Sequence, residues 1–85
     1  MIEKEQAVYL IRVDASANYY RYYSVRVDPD LFGRWSLIRQ WGRLDYDGGA
    51  MRVDSFETEA LALGKMGEIV GQKRRRGYFG GEVTG

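Results

Sequence analysis

At 85 residues the chain is read as one domain with one core, and at this size roughly 60% of the unfolded surface is buried on folding. Cysteine and histidine are both absent, which excludes disulfides, thiol nucleophiles, most zinc sites and the usual general base near neutral pH. The net charge of +1 predicts no partner by itself, so any anion binding has to come from local patches.

The charge is unevenly spread. Residues 57–72 carry Glu57, Glu59 and Glu68 against Lys65, and Lys73-Arg74-Arg75-Arg76 follow with only Glu82 acidic beyond them. A hydrophobic share of 45% and a single proline suit a folded globule better than a disordered chain. No acidic loop has the spacing of a calcium site, so no metal and no cofactor is expected. No apolar stretch approaches the ~18 residues of a membrane span. The expectation is a cytoplasmic protein with no membrane contact.

In chain order, residues 6–13 are rich in β-branched and aromatic side chains and predict a first strand. Ala7, Tyr9, Ile11 and Val13 line one face of it, while Val8 and Leu10 make the other face apolar too. Residues 14–18 form a small polar connection. Residues 19–28 alternate, with Tyr23, Val25 and Val27 on one side, until Asp28-Pro29-Asp30 stops the strand. A third strand over 34–42 turns Trp35 and Leu37 inward and Arg34, Ser36 and Gln40 outward. Asp45-Tyr46-Asp47-Gly48-Gly49 signals a turn, and a fourth strand at 50–54 is expected to turn Met51 and Val53 inward. The short turns predict an antiparallel meander.

The period then lengthens. Phe56, Ala60, Leu63, Gly67 and Val70, flanked by Met66 and Ile69, recur at helical spacing over 55–74. Asp54 with Glu57 fits a capping box, and Ser55 is an equally good cap. Gly64, Gly67 and Gly71 each cost about 0.8–1 kcal/mol relative to Ala, a cost that close approach of the helix to the sheet would offset. Gly77 reads as the stop, with at most a short last strand near Tyr78. The expected architecture is α+β: an antiparallel sheet of four to five strands with one amphipathic helix packed on one face. Residues 1–79 are assigned to this single domain and 80–85 to a loose C-terminal tail.

Without a bulge, Trp35, Leu37, Arg39, Trp41 and Arg43 project from one face of the third strand. Arg39 and Arg43 do not suit a core, so the geometry implies an open end of the sheet presenting arginine, tryptophan and arginine. An indole offers a flat surface for a sugar or base, and guanidinium groups clamp phosphate oxygens. Gly42 between them allows another backbone or a ligand to come close. An indole at a strand end serves equally as a core plug, with arginine stacked on its ring. The run Lys73–Arg76 complements a helix C-terminus whether or not it binds anything.

The stretch from Leu31 through Trp35-Ser36-Leu37-Ile38-Arg39-Gln40-Trp41-Gly42-Arg43 resembles the centre of a WGR domain. An alanine-containing helix and then Lys73-Arg74-Arg75-Arg76-Gly77-Tyr78 match that family's closing pattern, so the resemblance runs from about Val8 to Phe79. It implies a stand-alone bacterial relative of the module that contacts DNA breaks in poly(ADP-ribose) polymerases. On that resemblance Trp41 becomes the stacking platform and Arg43 the anchoring cation. Gly42, Arg39, Lys73, Arg75, Arg76 and Tyr78 complete the expected nucleic-acid surface. Asp45 departs from the family's usual glycine and sets negative charge beside the phosphate site. The transferase domain of the polymerases has no counterpart in the sequence, and no catalytic residues are expected. The expected partners are DNA ends or nicks, with a protein partner or self-association through the same surface as the alternative.

Overall fold

In the computed structural model, residues 6–82 form β1 (Gln6–Asp14), a short 3-10 turn (Ala15–Ala17), β2 (Tyr19–Pro29), β3 (Trp35–Arg43), β4 (Ala50–Phe56), α1 (Glu59–Arg75) and β5 (Phe79–Glu82). The strands make one antiparallel sheet in the order β4-β3-β2-β1-β5. The α+β architecture expected from the sequence is the one observed. Each turn has a local cause. After β1, Asn18 takes the left-handed conformation at φ 53° and its N–H donates to the Ala15 carbonyl at 3.1 Å. After β2, the Asp30 carboxylate accepts the backbone N–H groups of Phe32 and Arg34, both at 2.8 Å.

The sheet contributes Val8, Leu10, Tyr23, Val25, Val27 and Leu37 to the core, and the helix contributes Ala62, Ile69 and Val70. Register selects which apolar face of β1 is covered. Val8 pairs with Val25 and Leu10 with Tyr23, so the even positions of β1 meet the helix. Tyr9 and Val13 lie on the open face, 41% and 45% exposed.

Four sequence expectations change. Met51 and Val53 point away from the core and are 62% and 52% exposed. The cause is the register with β3, which pairs Leu37 with Asp54 and Arg39 with Arg52 and so gives the helix side of β4 to its charged members. The helix begins later than 55, and its N-cap is Thr58, whose hydroxyl accepts the Leu61 N–H at 3.2 Å. Asp54 is unavailable as a cap because it sits within β4, bound to Arg39 and Arg52.

The third change concerns the start of the expected loose tail. Gly80 and Gly81 belong to β5, paired with Leu10 and Tyr9. Gly80 sits at φ +134°, and a Cβ there would strike the Tyr9 carbonyl oxygen, so this strand can approach β1 only through glycine. Residues 83–85 of that expected tail lie outside the described residues.

The fourth concerns the helix glycines. A Cβ at Gly64 or Gly67 would meet nothing within 4 Å, so neither residue brings the helix closer to the sheet. Their propensity cost has no compensating contact. Gly64→Ala and Gly67→Ala are each expected to stabilise the domain by about 0.8–1 kcal/mol. In a thermal melt each should raise the midpoint by roughly 4–8 °C, and a fall in either would place an unseen partner against that helix face.

Helix α1 starts just after the end of β4 and delivers the chain to β5 at the opposite edge of the sheet. It therefore crosses the sheet obliquely. The corner where β3 ends and β4 begins lies off its path, and Ala50 and Arg52 are exposed there.

Candidate functional site

The third strand carries Trp41 into that corner. Its pairing with both neighbours is unbroken from Trp35 to Trp41, so Trp35, Leu37, Arg39, Trp41 and Arg43 share the helix side. Trp41 lies opposite Tyr23 on β2, and the two rings stack with centroids 5.7 Å apart and 14° between their planes. On its other flank the cross-strand neighbour is Ala50, itself exposed and too small to cover an indole. Trp41 is thus half-buried, packed against the core along Tyr23 and thinly covered along β4.

The two flanking arginines are engaged. Arg39 donates to the Asp54 carboxylate at 3.0 Å, and its side chain is only 16% exposed. Its Nε is buried with no partner among the described residues. Burial works against this charge, but the Tyr23 hydroxyl and Asp54 outweigh it and hold the guanidinium above its ordinary pKa. Arg43 donates through Nε to Asp45 at 3.1 Å. This exposed pair raises the pKa of Arg43 and lowers that of Asp45, each mainly through their mutual hydrogen bond. Arg39 is therefore a structural cation, and Arg43 a surface one carrying its own counterion.

Lys73, from the last turn of α1, reaches the same place. Its ammonium lies 4.5 Å from the centroid of the Tyr23 ring and 5.5 Å from that of Tyr78. Burial first, and then Arg76, push its pKa below the ordinary lysine value. The Tyr78 hydroxyl is 3.4 Å from that of Tyr19. Burial, aided by the Tyr19 contact, pushes the Tyr78 phenol up to about 12. The fold thus gathers Trp41, Tyr23, Lys73 and Tyr78, with Arg39 beneath.

Other expected members are placed elsewhere. Gly42 points to the opposite face of the sheet, where a Cβ would lie 3.0 Å from the Gly48 carbonyl oxygen and 3.3 Å from the Tyr22 ring. Its small size serves the turn after β3. Arg75 and Arg76 are exposed at the end of the helix, and Arg74 donates to the Gly80 carbonyl at 3.0 Å.

Reading the sequence by elements missed Tyr23, Tyr19, Arg12 and Arg21 as members of this surface. The guanidinium carbons of Arg12 and Arg21 lie 4.6 and 5.5 Å from the centroid of the Tyr19 ring. Only the strand register places them beside the motif, and that register was the missing signal.

The Arg39–Asp54 pair gives the site a pH dependence. Burial raises the Asp54 pKa, but Arg39 and Arg52 more than offset this, so its folded value lies below the ordinary aspartate value. A carboxylate depressed on folding contributes its stability in full above the unfolded value and loses it as pH falls through the folded one. The thermal midpoint should therefore fall below about pH 4. Asp54→Asn should cost about 1–3 kcal/mol at pH 7, because Arg39 loses its counterion, and should flatten that acid limb. Melts of both proteins between pH 3 and 7 test this, and an unchanged acid limb in the variant would refute it.

Comparison with known proteins agrees with this reading of the fold. The WGR domain pattern matches residues 6–83. The chain is 40% identical over 78 residues to the uncharacterized protein y4dW of Sinorhizobium fredii. The match covers 92% of this chain and 38% of that relative. No solved structure matches. Among the described residues no helix is long and apolar enough to cross a membrane. With its Trp41-Gly42-Arg43 motif on the third strand and a match over nearly its whole length, the chain belongs to the WGR domain family.

Proposed function

We propose that this protein is a non-catalytic module that binds DNA at ends or nicks through the corner around Trp41. One observation carries the reading. The indole is stacked on one flank against Tyr23, has the small, exposed Ala50 as its cross-strand neighbour on the other, and has the Lys73 ammonium on the neighbouring Tyr23 ring. A flat ring beside a cation suits a terminal base or sugar whose phosphate lies alongside. A break exposes such a unit, whereas an intact duplex keeps its bases stacked. Family membership supports a nucleic-acid role in general.

Arg43 joins this surface at a cost, since a phosphate has to displace Asp45 from it. With so few free cations at the corner itself, affinity should be weak and should fall steeply with salt. The test is a gel-shift series at ~50 mM salt on blunt, nicked and closed-circular DNA. Retardation of the first two at concentrations that leave the closed circle free is the expected result. If no form is retarded and a protein is captured in a manner that depends on Arg43, the same surface serves protein docking.

A further inference from the structure

Three arginines stand side by side on the three central strands, toward one end of the sheet. Register pairs Arg12 of β1 with Arg21 of β2, and Arg21 with Arg43 of β3. All three project from the helix side, one row beyond Leu10, Tyr23 and Trp41. Like charges directly opposite on neighbouring strands repel and destabilise a sheet. A structural role would call for acids between them, and almost none are there. Arg43 alone has an acidic partner, Asp45, and neither Arg12 nor Arg21 makes an ion pair among the described residues. Asp14, two residues beyond Arg12, accepts a hydrogen bond from the Ser16 hydroxyl at 2.7 Å.

In place of a carboxylate, Arg12 and Arg21 share the Tyr19 ring. A ring face steadies a guanidinium while leaving most of its in-plane N–H donors available to an oxyanion. From β1 to β3 the row spans about 10 Å, two strand spacings. At ~3.4 Å of rise per nucleotide that is about three steps along one nucleic-acid strand, so the row reaches several neighbouring phosphates.

We infer that the Arg12–Arg21–Arg43 row is a track for the backbone phosphates of a nucleic-acid strand whose end is held at Trp41. This rests on the nucleic-acid reading above and adds contacts from outside the Trp-Gly-Arg motif. Arg12 and Arg21 stay charged and without an acidic partner among the described residues, and bound phosphates relieve the repulsion along the row.

The experiment measures the salt dependence of binding to a blunt-ended duplex for the wild type, R12Q/R21Q and R12K/R21K, alongside thermal melts at low and high salt. Loss of two phosphate contacts should reduce the slope of log affinity against log salt by roughly 1.8 and weaken binding at ~50 mM salt by roughly tenfold or more. The lysine variant should keep most of the wild-type slope. In the free protein, Arg21→Gln should raise the melting midpoint at low salt, with the gain disappearing at high salt as repulsion is screened. A wild-type slope in R12Q/R21Q, in a protein whose binding still depends on Trp41, overturns the track and leaves the end-binding function standing. A lower midpoint for Arg21→Gln at every salt concentration overturns it too, since the residue then serves to pack Tyr19. Failure of the wild type to retain any DNA brings down both.

Discussion

Trp41→Ala is expected to weaken binding to blunt and nicked duplexes by roughly 5- to 150-fold, the equivalent of the 1–3 kcal/mol contributed by a base stacked on an aromatic ring. The alanine removes the platform and leaves the neighbouring cations in place, so the salt slope should hardly move while affinity drops at every salt concentration. That separates it from the arginine variants, which change the slope. The substitution also removes the ring stacked on Tyr23. Such a pair contributes about 0.5–1.5 kcal/mol beyond its buried area, so some loss of thermal stability accompanies the loss of binding. Trp41→Phe keeps part of both surfaces and should fall between the two in affinity. Binding by a folded Trp41→Ala protein at the wild-type level would show that the indole is a core plug and nothing more.

The second large effect is on the fold. Leu37 is fully buried in β3, between Val27 and Asp54 and under the helix. Leu37→Ala should cost about 2–5 kcal/mol, because the lost transfer free energy is joined by a cavity that the sheet cannot close. A domain of this length has about 4–13 kcal/mol in all, so the variant loses a large part of its margin. The melting midpoint should drop by at least about 8 °C. Val53→Ala is the informative control. Val53 is an apolar residue of the neighbouring strand on the open face, and its truncation should cost under about 1 kcal/mol. Equal losses at the two positions would mean that the open face is covered in solution, which would contradict a sheet covered by the helix on one face alone.

These variants separate what local pattern can specify from what it cannot. The third strand's alternation put Leu37 inward correctly, because β3 is continuous and side chains alternate along it. The same reasoning misplaced Val53 and Met51, since alternation defines two faces without saying which one a helix will cover. On β4 the decision fell to Asp54, which pairs on the helix side with Arg39 of β3 and with Arg52 of its own strand. On β1, where both faces are apolar, the choice came from pairing with Val25 and Tyr23. At the candidate site, Trp41, Arg39 and Arg43 were legible as one face of one strand. Their partners were not, since Asp54 and Tyr23 lie on other strands, and Asp45 was legible only as nearby negative charge.

By itself, then, the sequence determined the turns that order the strands, the amphipathic helix, its end at Gly77, and the motif that marks the family. Each depends on residues close together in the chain, whose backbone preferences and spacing act locally. Tertiary structure alone decided that Lys73 reaches the Tyr23 ring, that Arg39 and Arg43 carry acidic partners, and that Arg12, Arg21 and Arg43 line up. The reason is register: a shift of one residue between two strands would move every one of these side chains to the other face, and only packing of the complete core selects among the alternatives.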